Sequence, residues 1–217
     1  MKISSKGKLT STIIESNDEI IKRMMKVVAV NLNLTMYSCQ KDIEIAVKGL
    51  LSDAIKGQPE YSNIIYGELR YEFGLLSAFA RLDAILNAII QSVTVEIKNL
   101  KVRGSGFTGG LTINAVRSGY ADILSLPESS FLTEKGVQLD WLEWLLLEGD
   151  SIIIGDYHFR RVNSPRSRTG GGLMIKGGTW SVPSEFSGTI KNNFITRAIQ
   201  DIQEPIKKVV KKCLTSI

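Results

Sequence analysis

The feature that most constrains the fold is an apolar stripe that recurs every three or four residues near the C-terminus. It consists of Ile190, Phe194, Ile195, Ala198, Ile199, Ile202, Ile206, Val209, Val210, Cys213 and Leu214. This spacing places the whole stripe on one face of an α-helix, so a long closing helix must pack that face against the rest of the chain. We expect Ser187 or Thr189 to cap it, and a kink or break near Asp201, because Pro205 removes a backbone hydrogen bond.

The segment before this helix combines short apolar runs with glycines. Leucines spaced by three and four residues around Trp141 and Trp144 predict a short helix that ends at Gly149. The tryptophans are expected to be core or subunit-interface anchors. Strands are predicted at residues 151–154, 157–159 and 173–182, with turns at Gly155–Asp156 and Gly177–Gly178.

Helical periodicity dominates residues 13–91. Separate helices are predicted at 13–30 and 38–56, followed by a third helical region at 61–90 that Gly74 divides. We expect Ser16 or Asn17 to cap the first helix. Residues 1–12 are polar and lysine-bearing, which is typical of a flexible N-terminal arm.

After residue 91 the pattern changes to the alternation of half-buried strands. Strands are predicted at 93–102, 111–116 and 120–126, with a hairpin tip at 103–110. Gly104, Gly106 and Gly109 match the dinucleotide motif G-x-G-x-x-G, but that motif requires a helix directly after it. Because a strand pattern follows, we interpret these glycines as part of a hairpin.

These patterns predict an α+β fold: N-terminal helices and a long C-terminal helix packed on an antiparallel β-sheet. Residues 13–217 are expected to form a single domain, with a helical layer at 13–91 and the sheet and closing helix at 92–217. The predicted sheet joins strands from 93–126 with strands from 151–182.

Charge, cysteines and hydropathy exclude several functional classes. A net charge of +5 on 217 residues is lower than a dedicated DNA-binding domain usually carries. Cys39 and Cys213 belong to no C-x-x-C pair, so buried free thiols in a reducing compartment are expected. The sequence has neither a signal-peptide pattern nor an apolar run of membrane-spanning length, so we expect synthesis in the cytoplasm and no membrane partner.

The sequence offers little catalytic chemistry. Paired carboxylates, a Walker A motif and zinc-ligand spacing are all missing, so we predict no enzyme and no catalytic, metal or cofactor site. His158 is the single histidine, and we expect a sheet histidine with a backbone or solvent partner. An enzyme acting through Asp156 and His158 is the weakest alternative.

A basic, glycine-rich loop carries the most functional content. No acidic residue occurs between Tyr157 and Ser184, and residues 163–172 are expected to form an exposed, mobile loop. Such a loop is solvated, docks on an acidic neighbouring subunit, or faces phosphates, since flexible arginines suit either partner. The candidate subunit or DNA contacts are Arg160, Arg161, Arg166, Arg168 and Lys176 of this region, with Arg103 and Phe107 of the earlier hairpin.

Two blocks of sequence carry a family resemblance. The first is residues 43–61, followed by Gly-Glu-Leu-Arg at 67–70 and Glu-Phe-Gly-Leu at 72–75; the second comprises residues 167–174, 186–188 and the segment Asn-Phe-Ile-Thr-Arg-Ala-Ile at 193–199. Both resemble the tail-completion and head–tail connector proteins at the neck of tailed bacteriophages.

The resemblance implies a virion structural protein that forms a homo-oligomeric ring at the head–tail junction. Its expected partners are other virion proteins, namely the portal or connector and the tail tube or terminator, and nonspecifically the genomic DNA in the channel. The chain would be made in the host cytoplasm and reside in the virion. The alternative, from the residues alone, is a soluble, sequence-nonspecific nucleic-acid-binding module that uses the basic loop at 160–176.

Overall fold

The computed structural model describes residues 16–116, 118–133 and 136–215. It is α+β, as the sequence predicts, with a long N-terminal helix, C-terminal helices and small antiparallel sheets. The predicted flexible arm at residues 1–12 lies outside the described residues. The helices are α1 (Asn17–Lys56), α2 (Pro59–Tyr66), α3 (Leu69–Glu72), α4 (Ala78–Ser92), α5 (Ala121–Leu124), α6 (Trp141–Leu146), α7 (Phe194–Asp201) and α8 (Gln203–Thr215). The strands are β1 (Thr94–Arg103), β2 (Gly106–Asn114), β3 (Phe131–Leu132), β4 (Gln138–Leu139), β5 (Ile154–Arg161) and β6 (Gly172–Trp180).

Helix α1 is one continuous helix of 40 residues, so the prediction of two helices separated at residues 31–35 is wrong. The polar residues at the expected break have partners that leave the helix intact. The Asn33 side chain accepts a hydrogen bond from the Leu100 amide at 2.7 Å and donates one to the Leu100 carbonyl. Thr35 donates its hydroxyl to the Asn31 carbonyl one turn earlier. Ser16 caps the helix through a capping box with Glu19, as one of the two expected caps.

In the part of the chain that the structure describes, the strands form three separate two-stranded sheets, β1–β2, β3–β4 and β5–β6, rather than one sheet. The strand predicted at 120–126 is wrong: Ser118–Tyr120 form a 3₁₀ turn that leads into α5. The expected turns at Gly155–Asp156 and Gly177–Gly178 are wrong as well. Both positions lie inside continuous strands, and a register shift between Gly155 and Tyr157 accommodates one extra residue there. Strand β5 begins at Ile154 rather than at residue 151, and Ile152 before it is exposed.

Two rows of apolar side chains meet in the core. One comes from the C-terminal half of α1, with α2 and α4, and the other from α6, α7 and the segment after β6. Phe73, which follows α3, joins them, because its ring lies 6.0 Å from Trp141 and 5.9 Å from Trp180. Trp141 and Trp180 are buried and Trp144 packs partly buried against the same core, so the first of the two roles expected for the tryptophans, core or subunit-interface anchor, is confirmed.

The β1–β2 hairpin runs along α1 in the opposite direction. Gln40 donates a hydrogen bond to the Val95 carbonyl, and Tyr37 donates one to the Asn99 side chain at 2.9 Å, while Asn33 pairs with Leu100. As the strand advances, its partners move toward the start of α1.

The closing helix is divided at Ile202 into α7 and α8, which confirms the break expected near Asp201. Its N-cap is Asn193, so the expected cap at Ser187 or Thr189 is wrong. The Asn193 side chain accepts from the amides of Ile195 and Thr196, and it also bonds the buried hydroxyl of Tyr120. Thr189 lies before the helix, in a turn closed by its bridge to Asn192, and a β-carbon at the neighbouring Gly188 would collide with the Leu145 carbonyl.

A buried ion pair links α2 to α7. The carboxylate of Glu60 is almost fully buried and pairs with the Arg197 guanidinium. Arg197 also donates to Gln58 at 3.3 Å, and Gln58 donates to Asp201 at 3.0 Å. The two sequence blocks at 43–61 and 193–199 therefore meet in one polar cluster.

Cys39 and Cys213 form a disulfide across 174 positions of sequence, and it joins α1 to α8. The expectation of two free thiols is therefore wrong. Packing brings the two helices together, which no local spacing of cysteines could reveal. No α8 side chain is fully buried, so the disulfide supplements a shallow contact of half-buried residues with α1.

Among the residues described, no helix combines the length and the apolar character needed to cross a membrane.

Candidate functional site

The basic segment predicted from the sequence forms the β5–β6 hairpin and its connecting loop. The pairs Phe159–Met174 and Arg161–Gly172 share the face that packs toward the core, whereas His158–Ile175 and Arg160–Leu173 share the opposite face. The neighbouring residues Arg160 and Arg161 therefore lie on opposite sides of one strand.

The loop between these strands is folded against the protein, and half of residues 163–172, among them Arg166 and Arg168, are exposed as the sequence predicts. Ser164, Ser167 and Gly170 close it with backbone hydrogen bonds of 3.0 to 3.3 Å. Gly171 is buried, and a β-carbon there would collide with the ring of Tyr71. Turn residues that looked solvated in the sequence are thus satisfied by one another.

Two of the predicted contact arginines stack on aromatic rings of their own chain. The Arg161 guanidinium lies 3.5 Å from the ring centre of Tyr71, and that of Arg168 lies 4.1 Å from the ring centre of Phe131. Such cation–π contacts each contribute about 0.5–2 kcal/mol. These two arginines hold the loop in place.

The other three cations of the segment are available to a partner. Arg160, Arg166 and Lys176 are exposed, and within the described residues none of them forms an ion pair or a ring contact. Arg161 and Arg168 are exposed as well, so all five cations lie at the surface, and ring contacts hold two of them in fixed positions.

A groove of about 1320 Å³ lies between this loop, α3 and the β3–β4 hairpin. Its aromatic lining consists of Tyr71, Phe73, Phe131, Trp144, Tyr157, Phe159 and Trp180. Leu76, Leu132 and Val137 form exposed apolar parts of its wall, and Arg166 and Arg168 add positive charge. We call this site the aromatic groove.

The groove contains one half-buried carboxylate, that of Glu72. Burial raises the pKa of Glu72 above its ordinary value, although the hydrogen bond from Trp180 Nε1 at 2.9 Å lowers it. Glu68 and Glu185 raise it further by repulsion. The carboxylate fixes the Trp180 ring in the groove wall.

Arg103 and Phe107 lie at the end of the β1–β2 hairpin, which confirms the predicted hairpin and excludes a helix after the glycine motif. They pair with Gly106 and Val102 respectively, and both are exposed. This hairpin packs on α1, whereas the basic hairpin contacts α3. The candidate contact residues thus belong to two different surfaces.

A second exposed apolar surface was not identified as a site from the sequence. It lies on the N-terminal half of α1, where seven side chains are 45% to 66% exposed. We call it the outer apolar face: Ile21, Met24, Val27, Val28, Val30, Leu34 and Tyr37. The sequence carried a signal for this surface, because apolar residues recur on more than one side of the helix, and a helix of that kind is usually buried on more than one side. In the structure only Ala29 and Met36 of this stretch are buried.

The enzyme alternative of the sequence analysis depends on His158 and Asp156. His158 is exposed, and its Nδ1 lies 2.5 Å from the Gly177 carbonyl, which can only accept, so Nδ1 carries the proton. Asp156 sits at the register shift with a φ of 60° and is exposed. In the described part of the chain, no three His, Cys, Asp or Glu side chains are grouped to hold a metal.

Comparison of the chain with protein-family models, with curated proteins and with solved structures finds no match to any of them.

Proposed function

We propose that this protein is a virion structural protein of the phage head–tail junction. In this role it forms a neck or tail-completion ring between the portal or connector and the tail. It acts by assembly, with copies packed side by side and other virion proteins above and below.

The outer apolar face carries the proposal. Summed over its seven residues, the exposed area is roughly 700 Å², most of it from apolar side chains, whereas the largest apolar patch on a typical monomer covers about 300–600 Å². It approaches the ~800 Å² that each partner contributes to a standard interface. We take a second copy of the chain as the partner of this face, because other copies are present in every solution of the protein.

The resemblance described for the sequence supports the location at the phage neck. Its two blocks are far apart in the chain, yet Glu60 and Arg197, one from each block, form the buried ion pair between α2 and α7. The two blocks that carry the resemblance are therefore in contact in this chain.

The test is the size of the purified full-length chain, measured by light scattering after gel filtration and by negative-stain imaging. We expect rings for the unmodified chain. Leu34→Glu should give monomers, because burial of an unpaired carboxylate costs at least about 3 kcal/mol, or roughly 100-fold in affinity per interface. Ile190→Glu is the matched control, since Ile190 is similarly exposed but lies outside the outer apolar face. A monomeric unmodified chain at every concentration contradicts the proposal.

The same monomeric variant distinguishes the nucleic-acid-binding alternative. With three free cations in the basic segment, a monomer that binds duplex DNA through them should show a salt slope of about −3 in log K against log salt. The ring proposal expects no measurable affinity of the Leu34→Glu monomer for DNA. Tight, salt-dependent binding by that monomer would favour the alternative.

A further inference from the structure

We propose that the aromatic groove of one copy receives the outer apolar face of α1 from the neighbouring copy. This inference rests on the proposed ring function and specifies how its subunits contact one another.

The shape of the groove suits a segment of protein. Its volume of about 1320 Å³ exceeds the ~300–1000 Å³ typical of small-molecule sites. It is open between two hairpins, and its walls include Leu132 and Val137, which are both more than half exposed. An apolar groove with exposed aliphatic walls matches the mode in which an amphipathic helix lays one face into a partner.

The outer apolar face has the spacing of such a helix. Val27, Val30 and Leu34 follow one another at i, i+3 and i+7, and all three are 58% or more exposed. Hydrogen bonds from Asn33 and Gln40, on an adjacent side of α1, fix it to β1. The face is therefore rigid and presented outward, which lowers the entropy lost on binding.

The symmetry of a ring favours this pairing over contact between two outer faces. A ring of more than two copies requires a head-to-tail interface, in which two different patches of the chain meet. A two-fold contact between α1 helices would close a dimer and leave the groove walls at Leu76, Leu132 and Val137 in water. Insertion of the helix into the groove covers both patches with a single kind of interface.

Cysteine crosslinking between two tagged populations tests the inference. One population carries Val27→Cys and the other carries Leu132→Cys; both positions are exposed, so folding is preserved. The native cysteines are already joined to each other, which leaves no competing thiol. Thiols held together in a complex have an effective concentration near 1 mM, so oxidative crosslinking should be roughly 100-fold faster than between free chains at about 10 µM.

The matched control replaces Val27→Cys with Ile45→Cys. Ile45 is as exposed as Val27 and lies on the same helix, about 27 Å further along its axis. We expect crosslinks between the Val27→Cys and Leu132→Cys populations and none from Ile45→Cys.

The other outcomes overturn the inference in distinguishable ways. Crosslinks among Val27→Cys chains alone would show that outer faces meet each other. Oligomers by light scattering without the mixed crosslink would overturn this interface and leave the ring proposal standing. Chains that remain monomeric would overturn both.

Discussion

Removal of the Cys39–Cys213 disulfide gives the sharpest test of how the two ends of the fold are held together. The variant is the double substitution Cys39→Ala with Cys213→Ala, which leaves no unpaired thiol and places no hydroxyl in a half-buried position. The bond closes a loop of about 174 residues. The chain-entropy relation for a loop of this length gives about 5 kcal/mol of stabilisation, through restriction of the unfolded chain.

The structure shows where that loss should appear first. Helix α8 has no fully buried side chain and rests on α1 through half-buried residues such as Ile206 and Val209. Without the disulfide, α8 should open locally before the core unfolds, so the measured global effect will lie below the entropic figure. We expect a decrease in Tm of up to about 10–20 °C, since 1 kcal/mol corresponds to about 2–4 °C in a chain of this size.

Two measurements together decide the matter. Thermal unfolding gives the global change, and amide hydrogen exchange gives the local one, with fast exchange expected in α8 and unchanged exchange in α4. A thiol titration of the unmodified, denatured chain should find no free thiol. If Tm and α8 exchange are the same in both proteins, packing alone holds α8 and the argument from loop closure is refuted.

Three further experiments test contacts in the framework and the groove. Arg197→Met should cost about 3–5 kcal/mol in urea unfolding, because it leaves the buried Glu60 carboxylate without its counter-ion, and Glu60→Gln in the same chain should restore part of that loss; equal stabilities of the single and double variants would contradict this. Glu72→Gln should raise stability at neutral pH. The pKa of Glu72 is raised in the folded state, so wild-type unfolding free energy falls as pH rises through the interval above its unfolded pKa, and the variant should lose that slope while keeping a side-chain acceptor for Trp180; an unchanged pH profile would refute this. Gly171→Ala should destabilise the loop by about 1–3 kcal/mol, because its β-carbon collides with the Tyr71 ring, and near-ultraviolet circular dichroism should change; a stable variant with an unchanged spectrum would show that the ring moves freely.

Local rules were sufficient for some elements of the fold. The alternation before and after the glycine motif predicted the β1–β2 hairpin, and Pro205 predicted the break between α7 and α8. Both depend on backbone chemistry within a few residues. The same holds for Ser16, whose capping box is written in four consecutive residues.

Elsewhere, contacts distant in sequence decided the outcome. Asn33 lies where the sequence predicts a break between two helices. A strand more than sixty residues later forms hydrogen bonds with its side chain, so α1 continues through this position. The Cys39–Cys213 pairing depends on α8 packing along α1, and no cysteine spacing reports that. Strand patterns also carry no information on which strands pair, so one expected sheet became three.

The candidate site shows the same division. The composition of the basic loop was evident, but the stacking of Arg161 on Tyr71 and of Arg168 on Phe131 depends on elements 40 to 90 residues away. These contacts fix two of the five cations of the basic segment against aromatic rings of the same chain. The outer apolar face, in contrast, could have been inferred from the sequence, because apolar residues lie on more sides of this helix than one packed face requires.

The covalent bond between α1 and α8 also determines how the chain would carry a mechanical load. Tension applied between the first and last described residues would run through the start of α1, across the two sulfur atoms and out through the end of α8. The chain from residue 40 to residue 212, with its three small sheets, lies outside that path and would not be extended. A subunit built in this way can transmit a pulling force between its two ends while its interior stays folded.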